Sequence, residues 1–196
     1  MNKIKEFYIK YFLNKEYKIL IQNFFSLSVL NGLNVVFPLI TIPYLVRVLG
    51  AEKFGTISFA QVIIQYVLII TNMGFAFTAT KQISIFRNNI QRVNAIFSSV
   101  IIIRFLLTLM CVFVLMLLLL FNDKMGNEKY LYIFSIGILL GDIFIPVWLF
   151  QGMENMKFIT LVNFISKGFF TIITFFVIHT KEDYIYVPLL NSLGYF

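Results

Sequence analysis

Residues 95–121 read AIFSSVIIIRFLLTLMCVFVLMLLLLF. The stretch contains one charged side chain, Arg104, and neither proline nor glycine. In a helix, about 20 apolar residues cross the ~30 Å of bilayer hydrocarbon. This run is longer than that, so it reads as a transmembrane helix. Working outward, further apolar runs cover 23–46, 57–79, 130–150 and 158–178, and a shorter one covers 185–196. The chain is 60% hydrophobic and 13% charged, with a mean hydropathy of +0.88. A soluble domain carries about 25% charged residues, and no soluble core of this length could bury the excess apolar surface. The expected fold class is all-α: a polytopic transmembrane helix bundle with five full spans and a partial sixth. The last run, 185–196, is short of a span, so the sequence is expected to be part of a longer protein.

The net charge is +7. The basic residues lie between apolar runs and form no patch on a soluble fold, so nucleic acid is not an expected partner. Residues 1–22 read as a basic segment. Within it, Ile4, Phe7, Tyr8, Tyr11 and Phe12 share a helical face, which suits an amphipathic helix on an anionic leaflet. With the N-terminus inside, the inner segments hold Lys3, Lys5, Lys10, Lys15, Lys18, Lys81, Arg87, Arg92 and Lys157. The outer ones hold Arg47, Lys53, Lys124, Lys129 and Lys181. This bias favours a cytoplasmic N-terminus. Tyr44, Tyr130, Tyr132, Tyr184, Tyr186 and Trp148 fall near span ends and read as interface anchors.

Polar residues within the spans are grouped by face. At about 100° per residue, Ser58, Gln61, Gln65 and Asn72 share an arc of about 60°. Thr160, Asn163, Lys167, Thr171 and Thr174 share about 80°. Asn31, Asn34, Pro38 and Thr41 also share about 80°, and Asn94, Ser98, Arg104, Thr108 and Cys111 spread over about 140°. Such faces line either dry helix contacts or a hydrated cavity, and four of them together favour a cavity. Arg104, Asp142 and Lys167 lie deep in their spans, where a charge costs about 2.5–3.5 kcal/mol. Asp142 could pair with either cation, which leaves one over for an anionic substrate. The candidate substrate-cavity residues are therefore Lys167, Arg104, Asp142, Asn163, Asn31, Asn34 and Gln65. Pro38, Pro43 and Pro146 interrupt helix hydrogen bonding, as hinges or as packing kinks. Gly137 and Gly141 are spaced for close helix contact.

The stretch Asn31–Gln61, NGLNVVFPLITIPYLVRVLGAEKFGTISFAQ, resembles the opening of the O-antigen and polysaccharide flippases (Wzx-type), relatives of the MATE multidrug exporters. Pro38, Thr41, Pro43, Tyr44, Leu45, Arg47, Leu49, Gly50, Phe54 and Gly55 fit the family pattern. GFAFTATKQISIFRNN agrees with it, as does PVWLFQGMENMKFITLVNFISK, which carries Gln151, Gly152 and Glu154. The resemblance implies one lobe of a MATE-like exporter in a bacterial inner membrane. It implies an undecaprenyl-diphosphate-linked oligosaccharide moved from the cytoplasmic to the periplasmic face by alternating access. It also implies membrane lipid and a coupling cation, a proton or sodium, as partners.

Three other readings compete. One is a MATE-like multidrug exporter. Another is a membrane enzyme such as a polymerase, but the single histidine, His179, sits at a loop edge with no nucleophile motif near it. A third is a partner that binds other polysaccharide-assembly proteins without transporting. The single cysteine, Cys111, permits no internal disulfide, and no cofactor or metal site is expected.

Overall fold

The computed structural model describes the backbone of residues 15–194, and the side chains from residue 18 onward except that of Lys124. The surface helix expected within residues 3–13 lies outside the described residues. Helix already begins at Lys15, ahead of the expected span start at 23. The run Lys15–Asn72 breaks at Gly50, whose φ of 79° and ψ of 165° suit glycine and strain other residues. The break separates α1 (residues 15–49) from α2 (residues 51–72). Leu45 and Leu49 pack in one core with Ile57, Ala60 and Ile64, so the two helices run side by side from the break.

The 57–79 run stops at Asn72, because Met73 and Gly74 both take positive φ (30° and 76°). The chain resumes as α3, Phe75–Phe86. Next come α4 (Ile90–Phe121), α5 (Asp123–Gly126) and α6 (Lys129–Phe144). At the start of α4 the Asn89 side chain accepts the Arg92 N–H at 3.1 Å, a helix cap. The 130–150 run divides at Pro146, which has no N–H to continue the ladder, and α7 (Val147–Gly152) follows. The last elements are α8 (Met156–Val177), a 3-10 turn (Lys181–Ile185) and α9 (Tyr186–Leu193). Pro38 and Pro43 stay inside α1.

Among the described residues, Lys18–Asn72, Ile90–Phe121, Lys129–Gly152 and Met156–Val177 are long and apolar enough to cross a membrane. The apolar side of α4 is turned outward: Arg104 and Thr108 are buried, while Leu106, Met110 and Phe113 are exposed. In water that arrangement would be costly, and in lipid it is the stable one. The chain is an all-α, multi-pass membrane protein.

Two cores hold the bundle. The larger joins α1, α2, α4, α6 and α9, and the smaller joins α3, α4 and α7 around Trp148. The reading of Trp148, Tyr132 and Tyr184 as interface anchors is corrected here. Their exposures are 3%, 3% and 7%, so each ring fills a helix contact. Two glycines permit the closest approaches. A Cβ on Gly137 would lie 2.7 Å from Ser192 Cβ, and one on Gly152 would lie 2.7 Å from Ile83 Cγ2.

Candidate functional site

Four helices turn polar faces toward one cavity of about 510 Å³. α1 contributes Asn34, Pro38 and Thr41; α2 contributes Ser58, Gln61 and Gln65; α8 contributes Lys167, Thr171 and Thr174. Asn191, on α9, completes the polar lining, and Phe37, Leu45, Phe54 and Phe170 are among its apolar parts. Three of the hydroxyls are satisfied by their own helices. Thr41 donates to Phe37 C=O at 3.0 Å, Ser58 to Phe54 C=O at 2.9 Å and Thr174 to Phe170 C=O at 2.8 Å. Such back-bonding lets polar residues sit in a membrane helix without a partner across the cavity. Lys167 Nζ donates to Asn34 Oδ1 at 2.5 Å, a bond from α8 to α1. No Asp or Glu is among the residues lining the cavity.

Of the seven candidate residues, Lys167, Asn34 and Gln65 meet in this cavity. Asn31 is exposed on α1 and Asn163 donates to Ile159 C=O at 3.0 Å; neither lines it. Arg104 and Asp142 lie elsewhere, between α4 and α6. Arg104 is 1% exposed, and its Nη2 forms an ion pair with Asp142 Oδ2. Arg104 Nη1 also donates to Asp142 C=O at 3.3 Å, and Asn72 Nδ2 donates to Asp142 Oδ2 at 3.2 Å. This cluster joins α2, α4 and α6 through one carboxylate. Asn191 escaped the sequence reading because its segment is short. Val187, Asn191 and Gly194, spaced four and three apart, all line the cavity, and that spacing was the available signal.

At the end of the bundle near Gly50, three elements are tied together. Lys53 Nζ lies 3.6 Å from Glu128 Oε1 and 4.0 Å from the Tyr184 ring centroid. Tyr184 OH donates to Glu128 Oε2 at 2.7 Å. Beside them Asp183 accepts the N–H groups of His179 and Thr180 at 3.0 and 2.7 Å. Those donors hold its carboxyl below the usual carboxylate range.

Comparison with known proteins adds a family. The model described as "Polysaccharide biosynthesis protein" matches residues 20–196. The chain belongs to this family. One relative, named "Putative O-antigen transporter", from Escherichia coli (strain K12), is 33% identical over 162 residues. That match covers 83% of this chain and 39% of the relative. Another of the same name, from Shigella dysenteriae, is 29% identical over 175 residues, covering 89% of this chain and 44% of the relative. The chain thus spans less than half the length of these relatives. No solved structure matches it.

Several residues of the family pattern have clear structural work. Pro38 lines the cavity and Gly50 forms the α1–α2 break. Tyr44 packs on Phe175 with ring centroids 4.4 Å apart, and its OH donates to Ile178 C=O at 2.6 Å, tying α1 to the end of α8. Gly152 admits α3 against α7. Glu154, at φ 56°, pairs with Arg87 at 2.5 Å, and Gln151 C=O accepts its N–H at 3.1 Å. Pro43 and Arg47 are exposed, and a Cβ on Gly55 would meet open space.

Proposed function

We propose that this chain forms the substrate-cavity part of a flippase for lipid-linked oligosaccharide of the O-antigen or capsule type. The flippase moves its substrate from the cytoplasmic to the periplasmic face of the bacterial inner membrane. The observation that supports it most is the cavity: polar faces of four helices converge on a space walled by one cation, Lys167, in a chain of the polysaccharide biosynthesis family. Sugar hydroxyls need side-chain amides and hydroxyls, which Asn34, Gln61, Gln65 and Asn191 supply. A diphosphate needs a cation in a site drier than bulk water, where the attraction is stronger. A drug exporter for cationic compounds would instead place a carboxylate in the cavity, and the acidic residue nearest mid-span, Asp142, is bound to Arg104. Movement of a charged head group across the bilayer requires energy, and exchange against a proton or sodium ion is the coupling we assign.

The test is charge substitution in the transporter that carries this chain, expressed in a strain lacking its own O-antigen transporter. Lys167→Arg keeps part of the surface O-antigen, since a phosphate needs the charge more than the shape of its donor. Lys167→Ala loses it at equal membrane abundance. Full display with Lys167→Ala would refute the role given to the cavity. Direction is tested separately by cysteine labelling in a Cys111→Ser background. With a cytoplasmic N-terminus, a cysteine at Asn127 reacts with an impermeant reagent in intact cells and one at Asn89 does not. The reverse pattern inverts the topology.

A further inference from the structure

A second depression lies on the other side of the seam between α1 and α8. Its volume is about 390 Å³, and its walls are Phe25, Val29, Leu161 and Phe164, all at least half exposed. Ser26 and Thr160 form its floor, where Thr160 OH donates to Ser26 C=O at 3.0 Å. Lys157, in the first turn of α8, closes one end. The nearest acidic residue in sequence, Glu154, is held by Arg87 at 2.5 Å. Among the described residues no carboxylate lies within ion-pair distance of Lys157. The surface thus offers, at the membrane boundary, a cation with no carboxylate partner among the described residues, and an apolar groove running inward from it. From Lys157 to Phe164 the groove extends about 10 Å along the helix axis.

We propose that this groove seats a resident anionic phospholipid, with its phosphate on Lys157 and the upper part of an acyl chain between Phe25, Val29, Leu161 and Phe164. An exposed apolar groove in a membrane-spanning chain meets hydrocarbon, and Lys157 selects a head group of negative charge. The seam itself decides between a resident lipid and a substrate in transit. Phe164 on the groove side and Phe37 on the cavity side touch, with ring centroids 6.3 Å apart. Toward the boundary, Asn23 Nδ2 donates to Glu154 C=O at 3.0 Å and Met156 N–H donates to Asn23 Oδ1 at 3.4 Å. The groove is therefore partitioned from the cavity, and a lipid in it braces the wall that carries Lys167 without entering. This inference stands apart from the flippase reading.

The test is native mass spectrometry of the purified transporter that carries this chain, incubated with phosphatidylglycerol, phosphatidylcholine or a polyprenyl diphosphate. The expected result is preferential retention of phosphatidylglycerol. Lys157→Gln lowers that retention about fivefold, the scale of one lysine beside an anionic surface. Leu161→Trp, which fills the groove, lowers it as well, and phosphatidylcholine retention stays unchanged in both. Lys129→Gln and Lys167→Ala leave phosphatidylglycerol retention at the wild-type level. Unchanged retention in either groove variant overturns the proposal. So does loss in Lys167→Ala, which would put the lipid in the cavity. Displacement of phosphatidylglycerol by the polyprenyl diphosphate would assign the groove to substrate and overturn it too.

Discussion

Two cations deep in the spans of one bundle have different surroundings: Arg104 is buried and Lys167 is half-buried. Arg104 on α4 faces Asp142 across a dry contact, with Asn72 bonded to the same carboxylate. Lys167 on α8 faces a cavity whose lining, among the described residues, carries amides and hydroxyls and no carboxylate. Both sit deep in apolar helices, so their local sequence is similar. The facing helices differ: α6 supplies a carboxylate to Arg104, while α1 supplies the Asn34 amide oxygen to Lys167. Arg104 thus ties two helices together through a carboxylate, while Lys167 lines the cavity.

The largest effect expected from this contrast is on stability at the Arg104 cluster. Arg104→Ala leaves Asp142, a half-buried carboxylate, without its cation, and Asp142→Ala leaves a buried guanidinium. Removing one partner of a buried pair costs about 3–5 kcal/mol. Replacing both with leucine removes both desolvation penalties and should recover most of that loss. Thermal unfolding of the purified variants in detergent checks this. Single variants as stable as the double one would show that the pair is not what joins α4 to α6, and would remove the contrast with Lys167.

A smaller effect separates charge from shape. Gly152→Ala puts a methyl 2.7 Å from Ile83 Cγ2 and 3.0 Å from the Thr80 carbonyl oxygen. Overpacking of this kind costs about 1–3 kcal/mol. Gly55→Ala, which meets open space, should change the melting temperature little. If Gly152→Ala destabilises as much as Arg104→Ala, packing at α3–α7 and the ion pair contribute equally to holding the bundle.

The outline of this fold was legible in sequence because lipid imposes a single strong rule on helix surfaces. Hydrophobic length located α4 and α8 closely, and the 100° rule placed Thr41, Ser58, Gln65, Lys167 and Thr174 on faces that do converge. The neighbours of those faces were not legible. Depth in the span and angle on the helix are alike for Arg104 and Lys167, and neither quantity says which helix comes opposite. Aromatic rings were misread for a related reason. Trp148 and Tyr184 suit a lipid headgroup or a helix contact equally well by composition, and only Ala79, Ile83 and Val100 packed around Trp148 settle its place. The break at Gly50 falls in the gap between the 23–46 and 57–79 runs, whereas the one at Met73–Gly74 depends on φ values that a glycine in an apolar run does not announce.

The smallest stability effect is expected at Lys167, and it is the sharpest test of the contrast. Lys167→Ala removes the bond from Nζ to Asn34 Oδ1, and a hydrogen bond of this kind contributes about 1 kcal/mol. It also removes a cation from a partly dehydrated site, which offsets part of that loss. Asn34 is exposed, so its amide is not left buried by the change. The melting temperature should therefore stay near that of the parent, in the same assay that detects the loss at Arg104. On the function proposed above, transport depends on the opposite property, the approach of the ammonium to a diphosphate. A scaffold cation fails in the unfolding assay and a ligand-binding cation fails in the display assay. If Lys167→Ala melts as low as Arg104→Ala, Lys167 belongs to the scaffold and the two sites are alike.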